Sequence, residues 1–349
     1  MPQAAARLEA CLARHWWQAQ PTTVAWMLWP LSLLYRGLLA LHRRTRPPPR
    51  ALPVPVLVVG NHVVGGAGKT PAVMAMVQAL QQAGHRPGVV SRGHGRQGGA
   101  VRAVQAQDDA VAVGDEPLLI HRRCLVPVWV GARRADAARA LCAAHPEVDV
   151  LVADDGLQHS ALARDAELVV FDERGAGNGL LLPAGPLRNP LPRGVPAGCH
   201  VLYTAGLAST ALPGTLALRS IGAAVPLAAW CAGQTTGAVA LVDLQNRPVL
   251  AVAGIAAPEK FFAMLRTAGL TIQPCPLPDH HPYTTLPWPR DTADVVTTEK
   301  DAVKLSPHGQ GATRVWVVPL DLQLSPALVS HVLGLLFPPH ARRPPESPP

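Results

Sequence analysis

The chain has 349 residues, 48% hydrophobic and 15% charged, which is long enough for two domains with separate cores and excludes both a disordered chain and a polytopic membrane protein. Its formal charge is +8 with only 4% aromatic residues, and these do not alternate with basic ones, so a nucleic-acid stacking surface is excluded and an anionic membrane or a phosphorylated substrate fits the charge better. Six cysteines with no C-x-x-C pair read as reduced thiols of a cytosolic-facing protein and give no zinc site.

The first element is an apolar run, Val24 to Leu41, broken only by Ser32 and Arg36 and carrying Pro30. Trp16, Trp17, Trp26, Trp29 and Tyr35 cluster around it, and His42-Arg43-Arg44-Thr45-Arg46 follows. No small-residue cleavage site follows, so it is not a cleavable signal. It barely reaches the about 20 residues that a spanning helix needs. An interfacial helix dipping into one leaflet is the first reading. A single span with its basic end inside, and a hydrophobic helix packed on the soluble body, are the alternatives. Arg46 to Pro55 is proline-rich and reads as a connector.

An apolar strand candidate, Val54–Val59, then leads into Val63-Val64-Gly65-Gly66-Ala67-Gly68-Lys69-Thr70 and a helix candidate, Thr70–Ala83. Strand, glycine-rich loop and helix in that order make a phosphate cradle. Loop N–H groups and the helix N-terminus face the anion, Lys69 adds a mobile charge, and the Thr70 hydroxyl can hold Mg²⁺. The usual pattern has glycine where this chain has Val63, so the loop must enter through a backbone conformation open to a β-branched residue. Lysine occurs elsewhere only at positions 260, 300 and 304. In an arginine-drifted chain the surviving lysines merit a functional reading, because a point charge and a planar fork do different work.

Further strands are expected at Gly88–Ser91, Val126–Val130, Val148–Ala153, Leu168–Phe171 and Val201–Tyr203, with helices at Glu116–Arg123 and Ala132–Ala144. The alternation predicts a parallel sheet covered on both faces, with its chemistry at the carboxyl ends of the strands. Four motifs fall there. Arg92, closing the second strand, could reach a phosphate or simply hold a turn. Asp115, in Gly114-Asp115-Glu116-Pro117, could cap a helix or accept the proton of an attacking hydroxyl. Asp154 and Asp155 end an apolar strand, the usual source of the carboxylate that holds Mg²⁺; adjacent acids repel unless a cation sits between them. Asp172 is a second strand-end candidate, ranked lower because it lacks the doubled acid. The apolar stretch Gly179 to Arg188 could line an acyl-chain path or be core, with Arg188 on an anionic headgroup.

Leu207 to Pro248 reads as a connector with short strands. A second alternation follows: Val249–Ala253, a helix from Pro258 to Ala268, Thr271–Pro274, Val295–Thr297 and Val315–Val318. Asp279-His280-His281 and Thr298-Glu299-Lys300-Asp301 each follow a strand in it. The first could be a polar turn, or an imidazole supported by a carboxylate and able to assist Asp115 or bind the acceptor; its ligand count is too low for zinc. The expected organisation is a membrane-associating helical segment over 1–45, a P-loop domain over 46–222, a smaller α/β domain with connector strands over 223–337 and a disordered tail over 338–349.

Jointly, VVGGAGKTP (63–71), VVSRGHG (89–95), GDEP (114–117), VADDGLQH (152–159), GNGLLLPAGPLR (177–188), PDHH (278–281) and ADVVTTEKDAVK (293–304) make the chain resemble the tetraacyldisaccharide 4'-kinase family, the lipid A 4'-kinases of Gram-negative bacteria. The resemblance covers nearly the whole chain. It implies a P-loop NTPase-like α/β fold and transfer of the γ-phosphoryl group of ATP to the 4'-hydroxyl of tetraacyldisaccharide 1-phosphate, giving lipid IVA at the cytoplasmic face of the inner membrane. The implied partners are that lipid and the membrane surface, with no nucleic acid and no obligate protein partner. Asp115 would be the base or hydroxyl-orienting group, His280 the matching histidine and His281 a less certain one. Residues 63–70 would bind ATP, Lys69 and Thr70 would hold phosphates and Mg²⁺, and Asp154 and Asp155 would bind Mg²⁺. Arg92, Arg134, Arg188 and His159 would face the substrate. Asn189 stands where the family pattern leads one to expect an acid. A membrane-associated P-loop ATPase of the partitioning type is the rival; Val64 occupies the place of its signature lysine. A scaffold with a vestigial loop comes last, since Lys69, Thr70, Asp115 and Asp154 are all retained.

Overall fold

A computed structural model of the chain describes residues 11–45, 48–49, 51–159, 161–245, 247–308 and 310–338. The first ten residues, three connector residues (46, 47 and 50) and the tail from 339 lie outside the described residues, and with them most of the expected disordered tail.

Helix α1 (Thr23–Thr45) is long and apolar enough to cross a membrane by length and composition. Its buried or half-buried positions, Ala25, Leu28, Ser32, Tyr35 and Leu39, recur every three to four residues and form one narrow stripe. The stripe lies on the 181–188 loop: Ser32 Oγ donates to the Leu181 carbonyl at 2.8 Å and accepts from the Ala184 N–H at 3.1 Å. Trp26, Met27, Leu31, Leu34, Leu38 and Leu41 are exposed. The 181–188 loop is therefore the seat of the helix.

Apolar runs then give buried strands. In chain order the first sheet takes β1 (Val56–Gly60), β2 (Pro87–Ser91), β3 (Arg102–Ala103), β4 (Val128–Val130), β5 (Val150–Asp154), β6 (Ala166–Phe171), β7 (Cys199–Tyr203) and β8 (Thr215–Leu216). Their spatial order is β3-β4-β2-β5-β1-β6-β7-β8, parallel except for β3 against β4. Every residue of β1, β2 and β5 is buried, as a sheet covered on both faces requires. Helices α2 (Lys69–Gln82), α3 (Ala110–Val113), α4 (Asp115–Cys124) and α5 (Arg134–Ala144) pack around it.

The chain leaves through β9 (Leu218–Ile221) and builds a second sheet from β10 (Val225–Pro226), β11 (Val249–Ala253), β12 (Ile272–Pro276), β13 (Asp294–Thr298) and β14 (Arg314–Val318), in the order β10-β14-β13-β11-β12. Helices α6 (Leu227–Cys231), α7 (Pro258–Thr267) and α8 (Glu299–Ala302) accompany it. Pro274 and Pro276 sit in β12, the edge strand, where a missing N–H costs no ladder bond on the open side. The return strand β15 (Leu320–Gln323) pairs antiparallel with β9, so a two-stranded ribbon joins the two sheets. Helix α9 (Pro326–Leu336) then buries Leu328, Val332 and Leu336 in the core shared with α2 and β6. The last helix thus returns to the first layer.

Candidate active site

The phosphate loop runs from β1 to α2. Its first position, Val63, is fully buried and forms an antiparallel bridge with Leu187, while the Val64 N–H donates to the Pro186 carbonyl at 2.9 Å. A neighbouring segment holds the loop entry extended, which is why a β-branched residue serves there. Positive φ falls instead on Gly65 and Gly68, both at 81°, and Gly68 caps α2. The Lys69 amino group lies 3.3 Å from Asn61 Oδ1 and 3.8 Å from Asp155.

Strand β5 delivers two carboxylates into different surroundings. Asp154 is 2% exposed; its Oδ2 accepts from Ser91 Oγ at 3.0 Å, and its Oδ1 is buried with no hydrogen-bond partner among the described residues. Burial, reinforced by Glu116 and Asp155, pushes its carboxyl up to about 7. Asp155, at φ 50°, turns the other way. Arg188 forks onto it, Nη2 to Oδ1 at 3.0 Å and Nη1 to Oδ2 at 3.3 Å. Burial alone would raise the Asp155 carboxyl, but Lys69 and Arg188 outweigh it and hold it below the ordinary carboxylate range. Cations do sit beside the doubled acid, on Asp155. The orphaned Asp154 oxygen, beside a strand whose loop leads to the Thr70 hydroxyl, fits a divalent cation that takes oxygen ligands.

The third component crosses between the sheets. Asp115 opens α4 behind Gly114, whose φ of 94° sets the turn. It is 5% exposed, and its Oδ1 accepts from the Glu116 N–H at 2.9 Å. His280 comes from the loop after β12, at φ 58°. Its Nδ1 is 2.7 Å from Asp115 Oδ2, and its Nε2 is 3.4 Å from Lys300 Nζ. Lys300 in turn pairs with Glu116 at 3.2 Å and Asp279 at 3.3 Å. The GDEP, PDHH and TEKD motifs therefore meet at one point. Burial would raise the Asp115 carboxyl, yet the His280 hydrogen bond and the Lys300 and Lys304 charges hold it below the ordinary range. The same hydrogen bond raises the His280 imidazole against the opposing effects of burial and Lys300. His281 is spent on the turn: its Nδ1 accepts from the Tyr283 N–H at 3.2 Å and its ring meets Tyr283 edge-on.

Of the remaining residues singled out in the sequence, Arg134 is buried, with Nη1 2.6 Å from His159 Nε2 and Nη2 donating to the Asp155 carbonyl at 3.2 Å. Arg188, Arg134 and His159 are thus joined through Asp155. Arg92 is exposed, and it is its neighbour Ser91 that touches Asp154. Asp172, the lower-ranked acid, is held by Arg174 Nε at 2.9 Å and Lys260 Nζ at 3.1 Å; it ties the two sheets together. Sequence reasoning missed Asn61, Ser91, Glu116 and the role of Lys300. For Lys300 the scarcity of lysine was the available signal, and for Ser91 and Glu116 their places in VVSRGHG and GDEP; nothing local marks Asn61. The cleft between the two sheets is lined on one side by the loop and Met74, and on the other by Ile255, Phe261 and Met264.

Comparison with known proteins gives the same assignment from most of the chain. The family model described as tetraacyldisaccharide-1-P 4'-kinase matches residues 24–336. The tetraacyldisaccharide 4'-kinase of Leptothrix cholodnii is 53% identical over 99% of this chain and 100% of that protein. That of Methylibium petroleiphilum is 53% identical over 97% and 96%, and that of Dechloromonas aromatica 48% over 93% and 97%. A crystal structure of LpxK from Aquifex aeolicus, described as an "apo" form in complex with ATP, superposes with a TM-score of 0.72 at 24% identity, covering 90% of this chain and all of that one. That likeness establishes the shared α/β fold. The partitioning-type ATPase is not favoured by any of these matches, and the chain belongs to the tetraacyldisaccharide-1-P 4'-kinase family.

Proposed function

We propose that this chain transfers the γ-phosphoryl group of ATP to the 4'-hydroxyl of tetraacyldisaccharide 1-phosphate, giving lipid IVA, on the cytoplasmic side of the bacterial inner membrane. The observation that carries the reading is the 2.7 Å contact between Asp115 and His280, built from two separate sheets beside the Lys69–Thr70 loop. Phosphoryl transfer asks a protein for positioning and charge neutralisation more than for covalent chemistry. Backbone N–H groups of residues 65–70 and the Lys69 ammonium receive the phosphates, the Val64 N–H being bonded to the Pro186 carbonyl. Asp115, kept ionised by His280 and Lys300, accepts or orients the proton of the attacking hydroxyl, and His280 shares the resulting charge. Thr70 and Asp154 would hold Mg²⁺, which supplies charge neutralisation at the phosphates. Asp155 keeps Lys69 and Arg188 in place, Arg188 with Arg134 and Arg92 offers positive charge to the phosphorylated acceptor, and His159, whose Nε2 accepts from Arg134, holds that guanidinium.

The lipid acceptor accounts for α1. A helix fastened mid-length to the catalytic body through Ser32, with apolar side chains exposed around the rest of its circumference, suits one leaflet better than a span. We also divide the chain into a helical segment, a P-loop unit that includes α9, and the smaller unit between β9 and β15. The test is incubation with γ-labelled ATP, Mg²⁺ and the disaccharide lipid in detergent. Label is expected on the lipid at the 4' position. ATP turnover indifferent to added lipid would contradict the reading and restore the ATPase.

A further inference from the structure

Arg219 lies on β9, the strand that leads out of the first sheet, held by pairing with Leu322 of β15. Its side chain reaches back to the phosphate loop. Nη2 donates to Thr204 Oγ1 at 2.5 Å, at the end of β7, and stands 3.0 Å from where a Cβ on Gly68 would sit. Gly68 must therefore be glycine for two reasons, its left-handed φ and the guanidinium packed over it. The guanidinium lines the same cleft as residues 66–71.

The other cations around this loop already have anionic partners. Lys69 has Asp155, Arg174 has Asp172, and Lys260 has Asp172 and Glu173. Arg219 has no ion pair among the described residues, and its Nε is buried without a hydrogen-bond partner. Burial acts to lower its pKa, with Glu173 and Asp172 opposing from a distance. Arginine nevertheless stays charged in proteins. A fixed guanidinium, partly stripped of water and lacking a carboxylate, is costly unless an anion completes it. Its position selects which anion. Lys69 Nζ points to the Asp155 side of the loop, where the acceptor machinery lies, whereas Arg219 covers Gly68 and the first turn of α2 from the β7 side.

We propose that Arg219 is a phosphate-binding residue of the nucleotide site, contacting the α- or β-phosphate of a nucleoside di- or triphosphate rather than the transferred group. This rests on the kinase reading. The experiment measures ATP, ADP and adenosine binding by calorimetry in the full chain, with R219Q and R219K beside the unaltered protein, together with steady-state KM and kcat. R219Q is expected to weaken ATP and ADP alike by roughly 10- to 100-fold, the range of a lost charge-assisted contact. Adenosine affinity, the KM for lipid and the melting temperature stay near those of the unaltered protein, and R219K recovers part of the loss. Unaltered protein that binds ATP while R219Q matches it within twofold would overturn this inference and leave the kinase reading intact. Equal loss of adenosine binding would also overturn it, by making Arg219 a structural residue. Unaltered protein that fails to bind ATP would overturn both.

Discussion

All four lysines of the chain stand at or beside the cleft: Lys69 on the loop, Lys260 bridging to Asp172, Lys300 beside His280, and Lys304 on Asp301 at 3.1 Å. Two of them reach from the second unit to the first, Lys260 to Asp172 and Lys300 to Glu116. At this scale Lys69, Thr70, Asp115, Asp154 and His280 were legible because their motifs are contiguous in the chain. Ser91, Asn61 and Glu116 were not, because their roles arise from partners far along the chain: Asp154 for Ser91, Arg188 for Asn61 and Lys300 for Glu116. The Asp115–His280 pair gives a pH prediction. The His280 ionisation is raised above its ordinary value of 6.5 by the Asp115 hydrogen bond, and that of Asp115 is lowered, so between the two protonated His280 faces ionised Asp115. Transfer requires the pair to take up a proton, so kcat/KM should rise with pH through an inflection above 6.5. His280→Gln should erase that limb and lower kcat by roughly 10²- to 10⁴-fold. An unchanged profile in that variant would remove His280 from the chemistry. For stability the signs run oppositely for the two partners. The His280 contribution is full below 6.5 and is lost as pH rises through its raised value; that of Asp115 is lost as pH falls through its depressed value.

Among elements, the main strands and helices of both sheets followed from apolar runs and their breaks, with ends displaced by a residue or two. The expected Val54–Val59 is Val56–Gly60, and Thr271–Pro274 is Ile272–Pro276. The ribbon of β9 and β15 was not legible. Each strand is four residues long, and what defines it is a partner about a hundred residues away. The apolar stretch 179–188 was left open between an acyl-chain path and core; it is the loop on which α1 sits. Ser32, a mere interruption in the apolar run, is the anchor. Asn189, in place of an expected acid, accepts from Arg43 Nη2 at 3.0 Å and so fastens the basic end of the same helix. The outer face of α1 yields its own prediction. Replacing exposed Leu34 and Leu38 together by Glu should abolish co-sedimentation with anionic vesicles while shifting the melting temperature little, because neither side chain packs on the body. Retained vesicle binding would contradict an interfacial role for the helix.

For the whole molecule, the two sheets share one continuous apolar core, from Leu57 and Val152 to Val252, Val295 and Val317, and buried charge ties them further. Arg123 of α4 pairs with Glu299 at 2.6 Å and also reaches Asp321 on the ribbon, while Trp230 Nε1 donates to the same Glu299 at 3.1 Å. Glu299 is 4% exposed. Arg123→Ala would strand that carboxylate, and by analogy with other broken buried pairs should cost about 3 kcal/mol. Urea unfolding is the check, and a loss under about 0.5 kcal/mol would show that the contact does not hold the units together. The two larger sheets were readable from two alternations of strand and helix. The return of α9 to the first layer was not, since its apolar stripe carries no information about which sheet it covers.

These contacts converge on one claim, that a carboxylate from the first unit and an imidazole from the second together prepare a hydroxyl for a phosphoryl group held on the loop between them. The most direct measurement is single-turnover phosphorylation of the disaccharide lipid by Asp115→Asn, paired with ATP titration of the same protein. The account predicts ATP affinity within a few-fold of the unaltered chain and a transfer rate lower by roughly 10²- to 10⁴-fold. Transfer at an undiminished rate, or ATP affinity lost in step with it, would contradict the account.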